Sequence, residues 1–234
     1  MRDPIKHRYA VGYQIEPNHM IRECAMNIDN ESLSYPNTDM VILAGGRARR
    51  MNGLNKLLQT FDDQIQLIKL HQCFKNRVQR VWVNSHRDHG IYRGLVPHVG
   101  SFADDQAGFL GPIIGMKTAW SHVESDYILF VPCDVTYVPA KVLSRLHRAL
   151  ARHSTAKVAY VEINDVALRA FCLMHRDGLH ILERHIRSQQ YNLKACFQEL
   201  NAQVATFQHR GLFLQRIRSL DQLQQHRQLY SLPK

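Results

Sequence analysis

Met40-Val41-Ile42-Leu43-Ala44-Gly45-Gly46-Arg47-Ala48-Arg49-Arg50-Met51 joins an unbroken apolar run to two glycines and a cluster of arginines. Four apolar residues that stop at a glycine pair have the pattern of a buried strand running into a tight loop. The same signals recur further along the chain. Ile65–Phe74 places apolar residues at Ile65, Ile68 and Cys73, with support from Leu67 and Leu70, and predicts a helix. Val81-Trp82-Val83-Asn84 reads as a second strand, and Tyr127-Ile128-Leu129-Phe130-Val131 as a third. Between them, Ile113–Val123 opens after Pro112, and proline suits the first position of a helix. Val142, Leu143, Leu146, Ala149 and Leu150 repeat at helical spacing. Strands alternating with helices predict an α/β protein with three layers, a mostly parallel sheet and helices on both faces. Val158–Val161 and Phe171–Met174 add strands, and Leu179–Ile186, Leu193–Leu200 and Leu220–Leu229 add helices. The glutamine-rich tail from Gln215 to Gln228 reads as a solvated helix face.

Residues 1–38 carry no sustained period and are expected to form an N-terminal extension, in part disordered, with Met20, Met26 and Met40 as conceivable alternative starts. Residues 39–234 then form a single domain, with 39–150 binding one ligand and 151–234 a second. The composition, 45% hydrophobic and 21% charged, is that of a globular domain. No stretch has the roughly 18 consecutive apolar residues of a membrane span, so no membrane role is expected. The five cysteines lie far apart with no C-x-x-C pair, which argues for reduced thiols and a cytoplasmic setting. Net charge is +10, and residues 1–39 hold four Lys/Arg against six Asp/Glu, leaving +12 on the remainder. A basic body suits polyanionic partners. No aromatic-basic recognition module is present to favour nucleic acid over phosphorylated small molecules.

The glycine loop indicates where such an anion binds. Gly45-Gly46 lets the backbone bend sharply and approach a ligand, and successive N–H groups in such a turn form an anion nest. Arg47, Arg49, Arg50 and Lys56 surround it with positive charge. Neither G-x-G-x-x-G nor G-x-x-x-x-G-K-[ST] is present, so two common nucleotide signatures are excluded. Asp134 follows the third strand through Pro132-Cys133, at the strand end where open α/β sheets bind ligands. A carboxylate there suits Mg²⁺ bridging phosphate oxygens. The alternative for a lone aspartate is a turn or a helix cap.

These residues together resemble a known family. Leu43–Met51 is similar to the nucleotide-binding signature of the molybdenum cofactor guanylyltransferases, L-A-G-G-[KR]-A-R-R-M, with Lys56 following at the expected distance. Val81–Asn84 resembles that family's strand ending in asparagine. Asp104 stands seven residues before Gly111-Pro112-Ile113-Ile114-Gly115-Met116, which resembles D…G-P-L-A-G-M, and Pro132-Cys133-Asp134 matches P-C-D. The resemblance covers residues 40–150 and implies a Rossmann-like nucleotidyltransferase fold. It implies that GMP passes from GTP to the phosphate of molybdopterin with release of pyrophosphate. Leu43, Ala44, Gly45 and Gly46 would then contact the nucleotide through backbone atoms, with Arg50 beside them. Lys56 would bind the phosphates, Asn84 and Asp104 the guanosine portion, and Asp134 would hold Mg²⁺. Lys56 and Asp134 would be the catalytic pair, and cofactor-insertion proteins or molybdoenzymes would be the protein partners.

Two departures from the family pattern stand out. Where the family has Gly-Gly-x-Asp-Lys, this chain has Asn52-Gly53-Leu54-Asn55-Lys56. Where it has N-x-N-T-P, this chain has Arg216-Ile217-Arg218-Ser219-Leu220. Either the two arginines grip acceptor phosphates, or the acceptor site is degenerate. A cytidylyltransferase, a sugar-phosphate nucleotidyltransferase and a non-catalytic GTP- or cofactor-binding relative are the competing readings. Lys194 falls near a basic position of the family's late helix. His86 with His89, and His180 with His185, lack metal-ligand spacing and read as surface or structural residues. Ser85 and Cys133 have no base placed by sequence and read as inert.

Overall fold

The computed structural model describes residues 36–46, 51–209 and 216–231. Its centre is β1 (Thr38–Leu43), every residue of which is buried. β-Branched Val41 and Ile42 favour extended backbone, and strands lie on both sides. Alternation along β1 divides its side chains between two cores. Met40 and Ile42 enter one, and Val41 and Leu43 the other. Each fully buried side chain of this kind contributes about 1.5–3 kcal/mol relative to exposure.

A two-stranded ribbon, β2 (Thr60–Phe61) and β3 (Gln64–Ile65), turns through Asp62 and Asp63, both at positive φ. α1 (Gln66–Phe74) follows, then β4 (Val81–Asn84), α2 (His89–Leu95) and β5 (Gly100–Phe102). α3 (Pro112–Ala119) starts with Pro112 at its first position behind Gly111, whose φ of 102° only glycine adopts readily. β6 (Tyr127–Pro132) and α4 (Val142–Ala151) complete the first half. β7 (Val158–Ile163) and β8 (Val166–His175) form a hairpin closed by Asn164 and Asp165 at φ 47° and 62°. Two consecutive positive φ angles in a two-residue loop match the twist of the flanking strands. α5 (Leu179–Arg187), α6 (Leu193–Glu199), β9 (Gln203–Phe207) and α7 (Leu220–Ser231) follow.

The main sheet has seven strands in the order β5-β4-β1-β6-β8-β7-β9. β5, β4, β1 and β6 are mutually parallel, β9 is parallel to β7, and β8 alone runs against both its neighbours. Leu67, Leu70, Tyr92, Val142 and Leu146 from α1, α2 and α4 cover one face. Ile113, Met116, Ile181, Leu182 and Phe197 from α3, α5 and α6 cover the other. The three-layer, mostly parallel architecture is therefore the one expected. Four short elements (β2, β3, β5 and α2) and β9 are additions that apolar periodicity did not reveal.

The tail departs from the solvated face expected of it. α7 buries Leu223 with Met51, Phe61 and Ile217, and it buries His226 as well. His226 Nε2 lies 2.6 Å from Asp62 Oδ1 in the β2–β3 turn, and Lys69 of α1 closes on the other carboxylate oxygen. No helix among the described residues is long and apolar enough to cross a membrane.

Candidate active site

Because β1, β4, β5 and β6 are parallel, their carboxyl ends open on one edge of the sheet, where such sheets bind ligands. A cleft of about 770 Å³ lies there. Leu43–Gly46 enter it after β1, Asn84 after β4, Asp104 beyond β5, Asp134 after β6, and Lys56 from the turn that follows the glycine loop. The predicted site residues among those described thus meet in a single cleft. Arg47, Arg49 and Arg50 lie outside the described residues.

One end of the cleft is built around an amide. Asn84 Nδ2 donates to Asp104 Oδ1 at 2.8 Å, and His86 Nε2 lies 3.2 Å from Asp104 Oδ2. The His86 ring also tilts against Phe109, 5.2 Å between centroids. The bend expected of the glycine pair falls at Gly46, and Gly45 takes a φ outside the left-handed range. Its role is close approach: a Cβ there would lie 3.0 Å from Asn84 Oδ1 and 3.3 Å from Asp104 Oδ2.

The other end is built around a carboxylate. Asp134 is only 5% exposed. Arg216 donates from Nε to Oδ1 at 2.8 Å and from Nη2 to Oδ2 at 3.0 Å, and Lys56 Nζ lies 3.5 Å from Oδ2. Gln66, the first residue of α1, donates to the carbonyls of Cys133 and Val135 and so fastens the loop that presents Asp134. Burial first, and then the neighbouring Asp134 charge, push the Cys133 thiol up to about 12. It stays protonated and is no nucleophile. Ser85 is buried, with its hydroxyl 3.1 Å from that of Tyr92.

The structure accounts for the Asn55 departure. Asn55 caps the turn Lys56–Leu58 by accepting from the Leu57 N–H at 3.0 Å. Its Nδ2 donates to Asp88 Oδ2 and to Tyr92 Oη, both at 2.6 Å. Asp88, from the loop before α2, thus sets a carboxylate against the Asn55 amide. The C-terminal departure resolves unevenly. Arg216 lines the cleft, while Arg218 is exposed outside it.

Sequence reasoning missed Arg87, Phe109 and Arg169, which also line the cleft, and it placed His86 outside the site. Arg169 lies on β8, and only the reversal at Asn164-Asp165 points the start of that strand to the site edge. Lys194, in the first turn of α6, reaches the same cleft. Lys56, Arg87, Arg169, Lys194 and Arg216 give it an excess of positive charge over Asp104 and Asp134, as a polyphosphate ligand requires.

Residues 40–228 match the model of the MobA-like NTP transferase domain. The chain is 57% identical over 195 residues to a molybdenum cofactor guanylyltransferase of Acinetobacter baumannii, covering 83% of this chain and 93% of that one. The chain belongs to the molybdenum cofactor guanylyltransferase family. A member of this family from Pasteurella multocida is 32% identical over 168 residues, covering 71% of this chain and 87% of its own. In fold, the chain is similar to the molybdopterin-guanine dinucleotide biosynthesis protein A of Archaeoglobus fulgidus, with a TM-score of 0.61 at 16% identity over 82% of this chain and 98% of that one. It is also similar in fold to a CMP:2-keto-3-deoxy-manno-octonic acid synthetase complexed with CTP, with a TM-score of 0.59 at 12% identity over 84% and 98%.

Proposed function

We infer that this member of the family transfers GMP from GTP to the phosphate of molybdopterin and releases pyrophosphate. The observation that carries this reading is the two-ended cleft, with the Asn84–Asp104 pair at one end and Lys56 beside Asp134 at the other. Backbone atoms of Leu43, Ala44, Gly45 and Gly46 hold the nucleotide, and Asn84 and Asp104 contact its guanosine portion. Lys56 binds the phosphates as a point charge.

Asp134 is a hard oxygen donor standing at the phosphate end. No group of three or more His, Cys, Asp or Glu side chains that could hold a metal occurs among the described residues. A single carboxylate that leaves the remaining positions to phosphate oxygens and water fits Mg²⁺ rather than a closed metal cage. When bound, Mg²⁺ neutralises charge developing on the α-phosphate and the pyrophosphate leaving group. The acceptor is itself a phosphate, so no strong base is needed. Lys56 and the cleft arginines align it and neutralise charge, which can carry most of the catalysis. The free thiols of Cys73, Cys133, Cys172 and Cys196 suit a cytoplasmic setting.

The test is pyrophosphate release from each of the four NTPs with Mg²⁺, with and without molybdopterin. Release with GTP alone, and only when the pterin is present, is the expected result. Release with CTP or UTP would assign a different nucleotide, and GTP binding without release would mean a non-catalytic relative. Lys56→Ala and Asp134→Asn should each abolish turnover with the fold retained, checked by circular dichroism.

A further inference from the structure

Both oxygens of Asp134 are already engaged by a protein cation. The Arg216 guanidinium forks onto them, at 2.8 Å from Nε and 3.0 Å from Nη2. The backbone under it is pinned: Val135 and Arg216 form an antiparallel bridge, and the Ile217 N–H donates to the Asp134 carbonyl at 2.8 Å. Ile217 is fully buried among Met51, Phe61 and Leu223. The Arg216 side chain, by contrast, is 31% exposed and lines the open cleft. It can swing while its Cα stays in place.

A bidentate guanidinium occupies one lone pair on each carboxylate oxygen, the pair that a chelating metal would use. A metal on those lone pairs and the guanidinium would repel each other, beside an Asp134 that is itself only 5% exposed. Asp134 therefore cannot offer both of the fork's lone pairs to a divalent metal while it keeps the Arg216 fork. Once off Asp134, Arg216 remains tethered in a cleft that Arg169 on β8 and Lys194 on α6 also line. Its rigid fork matches two oxygens of a phosphate better than a lysine would.

We propose that Arg216 is a displaceable counter-ion of Asp134, which holds that carboxylate until a divalent metal takes it and then turns into the cleft to clamp the phosphate of the acceptor. It is a positioning residue for metal entry and a specificity residue for the acceptor. The proposal rests on Asp134 as the metal ligand and on a phosphate acceptor, as given under Proposed function.

The test begins with Mn²⁺ titration of the full chain without nucleotide, followed by electron paramagnetic resonance, for wild type, Arg216→Gln, Arg216→Lys and Asp134→Asn. Arg216→Gln should bind Mn²⁺ on the order of tenfold more tightly, the loss of a charge-assisted fork, and Arg216→Lys should fall between it and wild type. In steady state, Arg216→Gln should raise KM for molybdopterin on the order of tenfold and leave KM for GTP unchanged. Unchanged or weaker Mn²⁺ binding in Arg216→Gln overturns the counter-ion role. A raised KM for GTP with that for the pterin unmoved overturns the acceptor role. Mn²⁺ binding that survives Asp134→Asn instead overturns the metal-site assignment on which the proposal rests. A wild type that never releases pyrophosphate overturns the functional reading, while the titration still decides the counter-ion. If Arg216→Gln does not fold, Arg216→Lys decides in its place.

Discussion

A side chain at Gly115 would occupy the place of the Asn84 amide: an added Cβ would overlap Asn84 Oδ1 and lie 3.0 Å from its Cγ. The helix α3 therefore gives up helix propensity at Gly115 to lie against the Asn84–Asp104 end of the cleft. Gly115→Ala should gain up to about 1 kcal/mol of local helix propensity, yet push the Asn84 amide off Asp104. The expected result is a retained melting temperature with GTP affinity lowered on the order of tenfold, read by isothermal calorimetry. Undiminished affinity would remove Asn84 from the nucleotide site.

Asn55 and Asp88 share one negative charge between them. Asn55→Asp would set a second carboxylate where Nδ2 now donates at 2.6 Å to Asp88, replacing that hydrogen bond with a like-charge contact at a cost of about 1–3 kcal/mol. Adding Asp88→Asn should restore the pair with its roles exchanged. A double-mutant cycle in thermal stability and GTP KM checks this, and additive losses would show the two residues to be independent.

His147 lies at the opposite end of the sheet, its Nε2 3.0 Å from Thr38 Oγ1 and its ring edge-on to Tyr127. Burial lowers its pKa from 6.5 to about 4. A depressed value means the folded protein favours the neutral ring. Its contribution is thus whole above pH 6.5 and is lost as pH falls toward 4, by up to roughly 3 kcal/mol. Urea unfolding of wild type and His147→Gln across pH 4–7 should show a shallower slope in the variant. Parallel slopes would contradict this.

Asp62 ties three elements together: its own turn, α1 through Lys69, and α7 through His226. Burial alone would raise its carboxyl, but the His226 hydrogen bond and the Lys69 charge outweigh that and hold it below the usual value. Its contribution is complete above the ordinary carboxylate value and disappears as pH falls through the lowered one. Asp62→Ala leaves Lys69 as a buried charge short of its partner and should cost about 3–5 kcal/mol, measured by chemical denaturation. A loss below 1 kcal/mol would mean that Lys69 finds water instead.

The long central elements were legible because each carries its own signal. β1 and β6 are buried on both faces and carry unbroken apolar runs, Met40–Leu43 and Tyr127–Val131, and α4 shows its core stripe at Val142, Leu143, Leu146 and Leu150. β5 is three residues long with one buried apolar side chain, and β9 exposes Val204, so neither leaves a periodic trace. Asn84 and Asp134 were legible because each lies at or just beyond a recognisable strand end, and Asp104 because it stands seven residues before Gly111-Pro112. Arg87, Phe109 and Arg169 lie in segments where no local pattern marks a cleft.

The succession of buried strands and helices along the chain, the glycine loop and the position of Asp134 after β6 were determined by sequence alone, since chain-local rules of burial, backbone freedom and strand-end placement govern them. Which side chains answer Asp134 was decided only by the tertiary structure. Arg216 is 82 positions away in the chain and reaches the carboxylate because α7 is anchored on the β2–β3 turn and Ile217 is buried beneath it. Contacts between residues so far apart depend on how packed elements are oriented, and no spacing along the chain encodes that.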